Sequence, residues 1–203
     1  MTNSDCYTTL STPCEGVLLK EKSSKFFGYT FPVETEEEVK QIIIELRKKH
    51  ENAVHFCYAY QLGTTIKKHR VNDDGEPSNS AGMPIYGQIL SYNLTNVLVV
   101  VVRYFGGTKL GVSGLITAYK TTAKMAIEIS EIIEKTIDVR LQINFDYKNI
   151  NKVMRIIKEK KLTILDQKME FDCQIVISTR KNNSYDIYDL FSSIYDVTIK
   201  NIS

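Results

Sequence analysis

The chain has 203 residues, 43% hydrophobic and 25% charged, with 26 Lys and Arg against 24 Asp and Glu. These proportions exclude a disordered or fibrous chain, and a net charge of +2 is too small to name a nucleic-acid or membrane partner. The longest apolar run, six residues ending at Val102, is far short of the roughly 20 that a membrane helix needs.

In chain order, MTNSDCYTTL has no basic stretch followed by an apolar one, so no secretory signal is expected. Residues 17–31 read as one or two strands broken at KSSK, which begins at Lys22. Thr35 and Glu38 have capping-box spacing, and Glu36, Glu37 and Glu38 lie where the helix dipole favours acid. The helix so predicted runs to about His50, buries Val39, Ile42, Ile43 and Leu46, and ends in Arg47, Lys48 and Lys49. Over residues 53–62, Val54, Phe56, Tyr58 and Tyr60 face one way and His55, Cys57 and Ala59 the other. Residues 70–84, RVNDDGEPSNSAGMP, read as a loop whose Pro84 opens a helix carrying Ile85, Ile89 and Leu90. Val97–Tyr104 is apolar on both faces and reads as a central strand. Residues 103–114, RYFGGTKLGVSG, form a glycine-rich turn into a long helix predicted over residues 115–133.

From Ile137 the pattern changes. Ile137, Val139, Leu141, Ile143 and Phe145 alternate with polar residues, which predicts a half-buried strand. Asp146 is placed to cap a helix bearing Ile150, Val153, Met154 and Ile157, with Lys158, Lys160 and Lys161 at its negative end. Strands near residues 162–168 and 171–179, a helix capped by Ser184, and a final strand with Val197 and Ile199 inward complete the pattern. The order β-α-β-β-α-β is that of a ferredoxin-like unit. The sequence therefore predicts an α+β protein of two domains, residues 1–136 and 137–203. Charge divides mildly, at net 0 in the first and net +2 in the second.

Two segments could carry chemistry. Asp73, Asp74 and Glu76 crowd three carboxylates into four positions, and their repulsion must be relieved by a metal, a basic partner or water. The loop alone offers too few ligands for a cation, so a base such as Arg103 is the expected partner and no metal is assigned. The glycine turn, with Gly106, Gly107, Gly111 and Gly114, could offer amide N–H groups and Lys109 to an anion; it matches neither a Walker loop nor GxGxxG. His55 and Cys57 share a strand face, but no third orienting group can be assigned to them. Lys22, Ser23 and Lys25 could form a basic edge, as could Lys152 and Lys160. The four cysteines, Cys6, Cys14, Cys57 and Cys173, are scattered without a CxxC pair, which reads as reduced thiols of the cytoplasm.

NDDGEPSNSAGMPI, followed by LTNVLVVVVRYFGGTKLG and preceded by KSSKF and AVHFCYAY, resembles the IMPACT/YigZ family in its bacterial two-domain form. The resemblance covers the whole chain. It departs from the family pattern at Asn72, at Asn79 and Ser80, and at Ser113. It implies a first domain similar to domain IV of elongation factor G, of the ribosomal-protein domain 2-like type, and a ferredoxin-like second domain similar to its fifth. It also implies a translation-linked regulator with no established catalytic residues. The candidate surface carried over is Asp73, Asp74, Glu76 and Pro77, with Arg103, Tyr104, Gly106, Gly107, Lys109 and Gly111.

Two functions follow. The first is a cytoplasmic, non-enzymatic monomer that binds RNA, the ribosome or a translation protein. The alternative is an enzyme acting on a phosphorylated or nucleotide substrate through the glycine turn and acidic loop, for which no nucleophile, base and orienter can be written. No cofactor or membrane is expected.

Overall fold

A computed structural model describes residues 5–202 of the chain. They form an α+β protein that divides into two compact units. One is Tyr7–Lys135; the other runs from Thr136 onward and includes Asp5 and Cys6. Asp5 belongs there because its carboxylate pairs with Arg180 and its carbonyl accepts from the Ile137 amide at 2.6 Å.

The first unit is built on a five-stranded antiparallel sheet in the order β2-β3-β6-β4-β5. Its strands are β2 (Cys14–Glu21), β3 (Ser24–Pro32), β4 (His55–Leu62), β5 (Lys68–Asn72) and β6 (Val97–Tyr104). A separate short pair joins β1 (Cys6–Leu10) to β7 (Ile132–Thr136). Helix α1 (Glu36–Lys49) covers one face of the sheet, and α2 (Gly82–Ser91) and α3 (Gly111–Glu128) cover the other. The central β6 explains the unbroken apolar run: every residue from Val97 to Val102 is fully buried, as a strand covered on both faces requires. Even-numbered residues pack toward Phe56 and Tyr60 on the α1 side, and odd-numbered ones toward Cys57, Ala59 and Tyr119 on the α3 side.

The capping box is present: Thr35 Oγ1 accepts the Glu38 amide at 3.2 Å, and Glu38 Oε2 accepts the Thr35 amide at 3.0 Å. KSSK is a two-residue hairpin turn with Lys22 and Ser23 both at positive φ, the backbone a tight hairpin needs. Several expectations need correction. The long helix starts at Gly111, ahead of residue 115, and ends at Glu128; Ile132 and Ile133 lie in β7, where β1 supplies the ladder partners. Residues 70–72 belong to β5, paired with β4, and only then does the loop begin. Val54 precedes β4 and is exposed.

The second unit contains β8 (Asp138–Asp146), α4 (Ile150–Glu159), β9 (Thr163–Lys168), β10 (Asp172–Arg180), α5 (Ser184–Ser192) and β11 (Val197–Asn201). Its four strands form an antiparallel sheet in the order β11-β8-β10-β9. Ile143, Ile175 and Ile177 on its inner face pack with Val153 and Ile157 of α4 and with Ile187 and Phe191 of α5. The two expected caps are not formed. Asp146 leads into a single 3-10 turn and its carboxylate pairs with Lys148, while the Ser184 hydroxyl donates back to the Lys181 carbonyl.

Candidate functional site

The acidic loop begins with a tight turn. Asp74 and Gly75 both have positive φ, the Glu76 amide donates to the Asp73 carbonyl at 2.9 Å, and Asn72 Oδ1 accepts the Asp74 amide at 2.7 Å. Such a turn needs left-handed backbone at both central positions, which Asp and Gly tolerate. It sends the three carboxylates to three different parts of the unit.

Asp73 serves α2. Its Oδ1 accepts the Ala81 and Gly82 amides at 3.0 and 2.8 Å, and its Oδ2 accepts the Asn79 amide at 2.9 Å. A carboxylate thus meets the positive end of a helix that has no capping side chain of its own. Asp74 ties β4 to α1: its Oδ2 accepts the Phe56 amide at 2.6 Å and its Oδ1 the Arg47 guanidinium at 2.8 Å. Glu76 turns inward to the α3 side, where Oε1 accepts from Arg103 Nη1 at 2.5 Å and from the Tyr119 hydroxyl at 2.7 Å. The repulsion expected from the sequence is relieved by divergence: Asp73 is met by backbone amides, Asp74 by Arg47 and an amide, and Glu76 by Arg103 and the Tyr119 hydroxyl. Among the described residues no cluster of His, Cys, Asp and Glu is arranged to hold a metal ion.

Sheet register brings Arg103 to this loop. Arg103 lies directly opposite His55 on β4 and Phe26 on β3, and its guanidinium lies 5.4 Å from the Phe26 ring and 5.5 Å from that of Phe105. His55 donates from Nδ1 to the Asp74 carbonyl at 2.8 Å, which leaves Nε2 3.8 Å from Glu76 Oε1. Cys57 does not pair with His55. Its thiol lies 3.0 Å from the Asp73 carbonyl and 3.3 Å from the Tyr119 hydroxyl, and burial, only partly opposed by the Tyr119 hydrogen bond, pushes its pKa far up. That thiol is not an available nucleophile.

The glycine turn serves two structural purposes. A Cβ on Gly106 would lie 2.1 Å from the Ser23 carbonyl, so the close approach of the turn to the Lys22–Ser23 hairpin requires glycine. Gly107 and Gly111 have open space around them but positive φ. The Gly106 amide donates to Ser24 Oγ. Beyond the turn, His55, Glu76, Pro77 and Arg103 line a cleft of about 400 Å³ with Lys109, Gly111 and the apolar side chains of Phe105, Leu110, Val112 and Leu115.

Several candidates lie outside this cleft. Tyr104 points to the opposite face of the sheet, where its hydroxyl lies 2.9 Å from His50 Nδ1 and Tyr29 occupies His50 Nε2 at 2.7 Å. Alternation along β6 separates it from Arg103. Lys25 is exposed and paired with Tyr104 across the strands. Lys152 and Lys160 are exposed in the second unit, on α4 and just past its end. The sequence reading missed Arg47 and Tyr119. Tyr119 was detectable, because it follows Leu115 and precedes Ala123 at helical spacing on the buried side of α3; nothing local marks Arg47 as the partner of Asp74.

The model of the Impact N-terminal domain family matches residues 22–127. IMPACT family member YvyE of Bacillus subtilis is 31% identical over 173 residues, covering 83% of this chain and 79% of that protein. IMPACT family member YigZ of Escherichia coli is 34% identical over 100 residues, 48% of this chain and 49% of that one. A crystal structure described only as a hypothetical protein superposes with a TM-score of 0.79 at 21% identity over 98% of both chains, a likeness of fold.

Proposed function

The chain belongs to the IMPACT family, and on that premise we propose that it is a non-enzymatic translation regulator of the cytoplasm, acting as a monomer that binds RNA, the ribosome or a translation protein. The observation that carries this reading is the engagement of all three loop carboxylates by Arg47, Arg103, Tyr119 and backbone amides. Residues poised for acid–base work need access to a substrate proton. These hold strands and helices in place and so shape a surface. The alternative enzyme would need a free base in the acidic loop, and its nearest thiol is closed off by burial.

On this reading the first unit is similar to domain IV of elongation factor G and the second is ferredoxin-like, its helices over one face of a four-stranded antiparallel sheet. The two units suit a protein that meets a translation component through fixed surfaces. No described helix is long and apolar enough to cross a membrane. Exposed lysines on α4, Lys152 and Lys158, with Lys160 beyond it, offer phosphate contacts in the second unit.

Co-sedimentation of the protein with ribosomes over a salt series tests the proposal. Binding at low salt that weakens smoothly as salt rises is expected, since phosphate contacts release counterions. Failure to co-sediment at low salt, with turnover of a phosphorylated metabolite, would replace the binder with the enzyme.

A further inference from the structure

We propose that the cleft between the acidic loop and the start of α3 is a binding site for a small carboxylate carried on an apolar body. This goes beyond the regulatory reading and does not depend on it.

Four features of the cleft point to such a ligand. Arg103, which lines it, is 5% exposed, and its Nε has no hydrogen-bond partner among the described residues; its bond to Glu76 is made by Nη1. A buried donor without an acceptor bears its desolvation cost unrewarded, and an oxyanion is the acceptor that suits a guanidinium best. The 18-residue helix α3 begins at Gly111 in the lining, and its first turn has no capping side chain. Its dipole therefore adds partial positive charge at the same place. The ionisable groups of the lining are His55, Glu76, Arg103 and Lys109. Glu76 is matched by Arg103 and the Tyr119 hydroxyl, so Lys109 and the helix end leave the cleft net positive.

The walls select the rest of the ligand. Phe105 and Val112 are 47% and 53% exposed, and with Leu110 and Leu115 they give the cleft an apolar wall beside the charged groups. A hydrated phosphate would leave that surface wet, whereas a hydrocarbon body would cover it.

The test is amide and arginine side-chain NMR of the full chain during titration with hexanoate, acetate, hexanol and inorganic phosphate. Hexanoate should give saturable shifts at residues 106–112 and at the Arg103 Nε–H. Affinity should rise about two- to fourfold for each methylene buried, from acetate to hexanoate. Hexanol, with the same body and no charge, should leave the Arg103 Nε–H unmoved. Phe105→Ala should bring hexanoate close to acetate, and Lys109→Gln should weaken both by about two- to fivefold; both positions are exposed, so folding is not at stake. Absence of saturable shifts, equal binding of hexanol, or phosphate binding as tight as hexanoate would each overturn the proposal.

Discussion

Glu76 and Arg103 stand 27 positions apart, yet their side chains meet at 2.5 Å with 4% and 6% of their surfaces exposed. The pair joins the loop after β5 to the end of the central strand, and Tyr119 adds α3 through the same carboxylate oxygen. Removing one partner of a buried ion pair leaves the other charge uncompensated and costs about 3–5 kcal/mol. Glu76→Gln should therefore lower stability by roughly that amount. Combining it with Arg103→Met should cost less than the sum of the two single changes. Urea unfolding followed at the β4 and β6 amides measures both; simple additivity would show that the pair is not coupled.

Glycines in this protein should respond to alanine in opposite directions. Gly106→Ala places a Cβ against the Ser23 backbone, which cannot swing aside as a side chain would, and should cost about 1–3 kcal/mol. Gly87 lies exposed within α2 with nothing within 4 Å of a Cβ. Gly87→Ala should stabilise by about 0.4–1 kcal/mol by restricting the unfolded chain. Melting temperatures that move together would refute this reading of the turn.

His50 makes a prediction about pH. Burial first, and the charge of Lys49 second, hold its pKa below the ordinary histidine value. A neutral ring has one donor and one acceptor nitrogen, and the hydroxyls of Tyr29 and Tyr104 satisfy both. The unfolded chain takes up the proton more readily, so the stability this group contributes is complete above about pH 6.5 and is lost as pH falls from there through the folded value. Thermal melts between about pH 7.5 and pH 5.5 should show a decline in the native chain that His50→Gln reduces. An imidazole resonance titrating at or above the ordinary value would contradict it.

For ribosome or RNA binding, Lys152→Glu with Lys160→Glu should weaken affinity across all sequences without altering preference, since phosphate contacts position and do not specify. The slope of log affinity against log salt should become shallower by about 0.7 for each phosphate no longer neutralised on a single strand. A change confined to one sequence would point to base readout in its place.

Much of the fold was legible because its signals are local. The capping box of Thr35 and Glu38, the double-sided apolar run of β6 and the alternation of Val139, Leu141, Ile143 and Phe145 each depend on spacing within a few residues. β5 and β7 have little pattern of their own and exist because β4 and β1 supply ladder partners, and Asp146 found Lys148 before a helix amide.

The sequence by itself determined that the chain belongs to the IMPACT family, that it is α+β, and that the segment around Asp73 and the glycines after Arg103 stand apart from ordinary loop and core. Only the tertiary structure decided what those residues do to one another. Strand register placed His55 beside Arg103 and put Tyr104 on the far face, and a turn at Asp74 and Gly75 sent three neighbouring carboxylates to α2, α1 and α3. The physical reason is range: helix and strand periodicities arise between near neighbours, whereas the partners of a buried charge are chosen by packing, which here joins residues 27 and 43 positions apart.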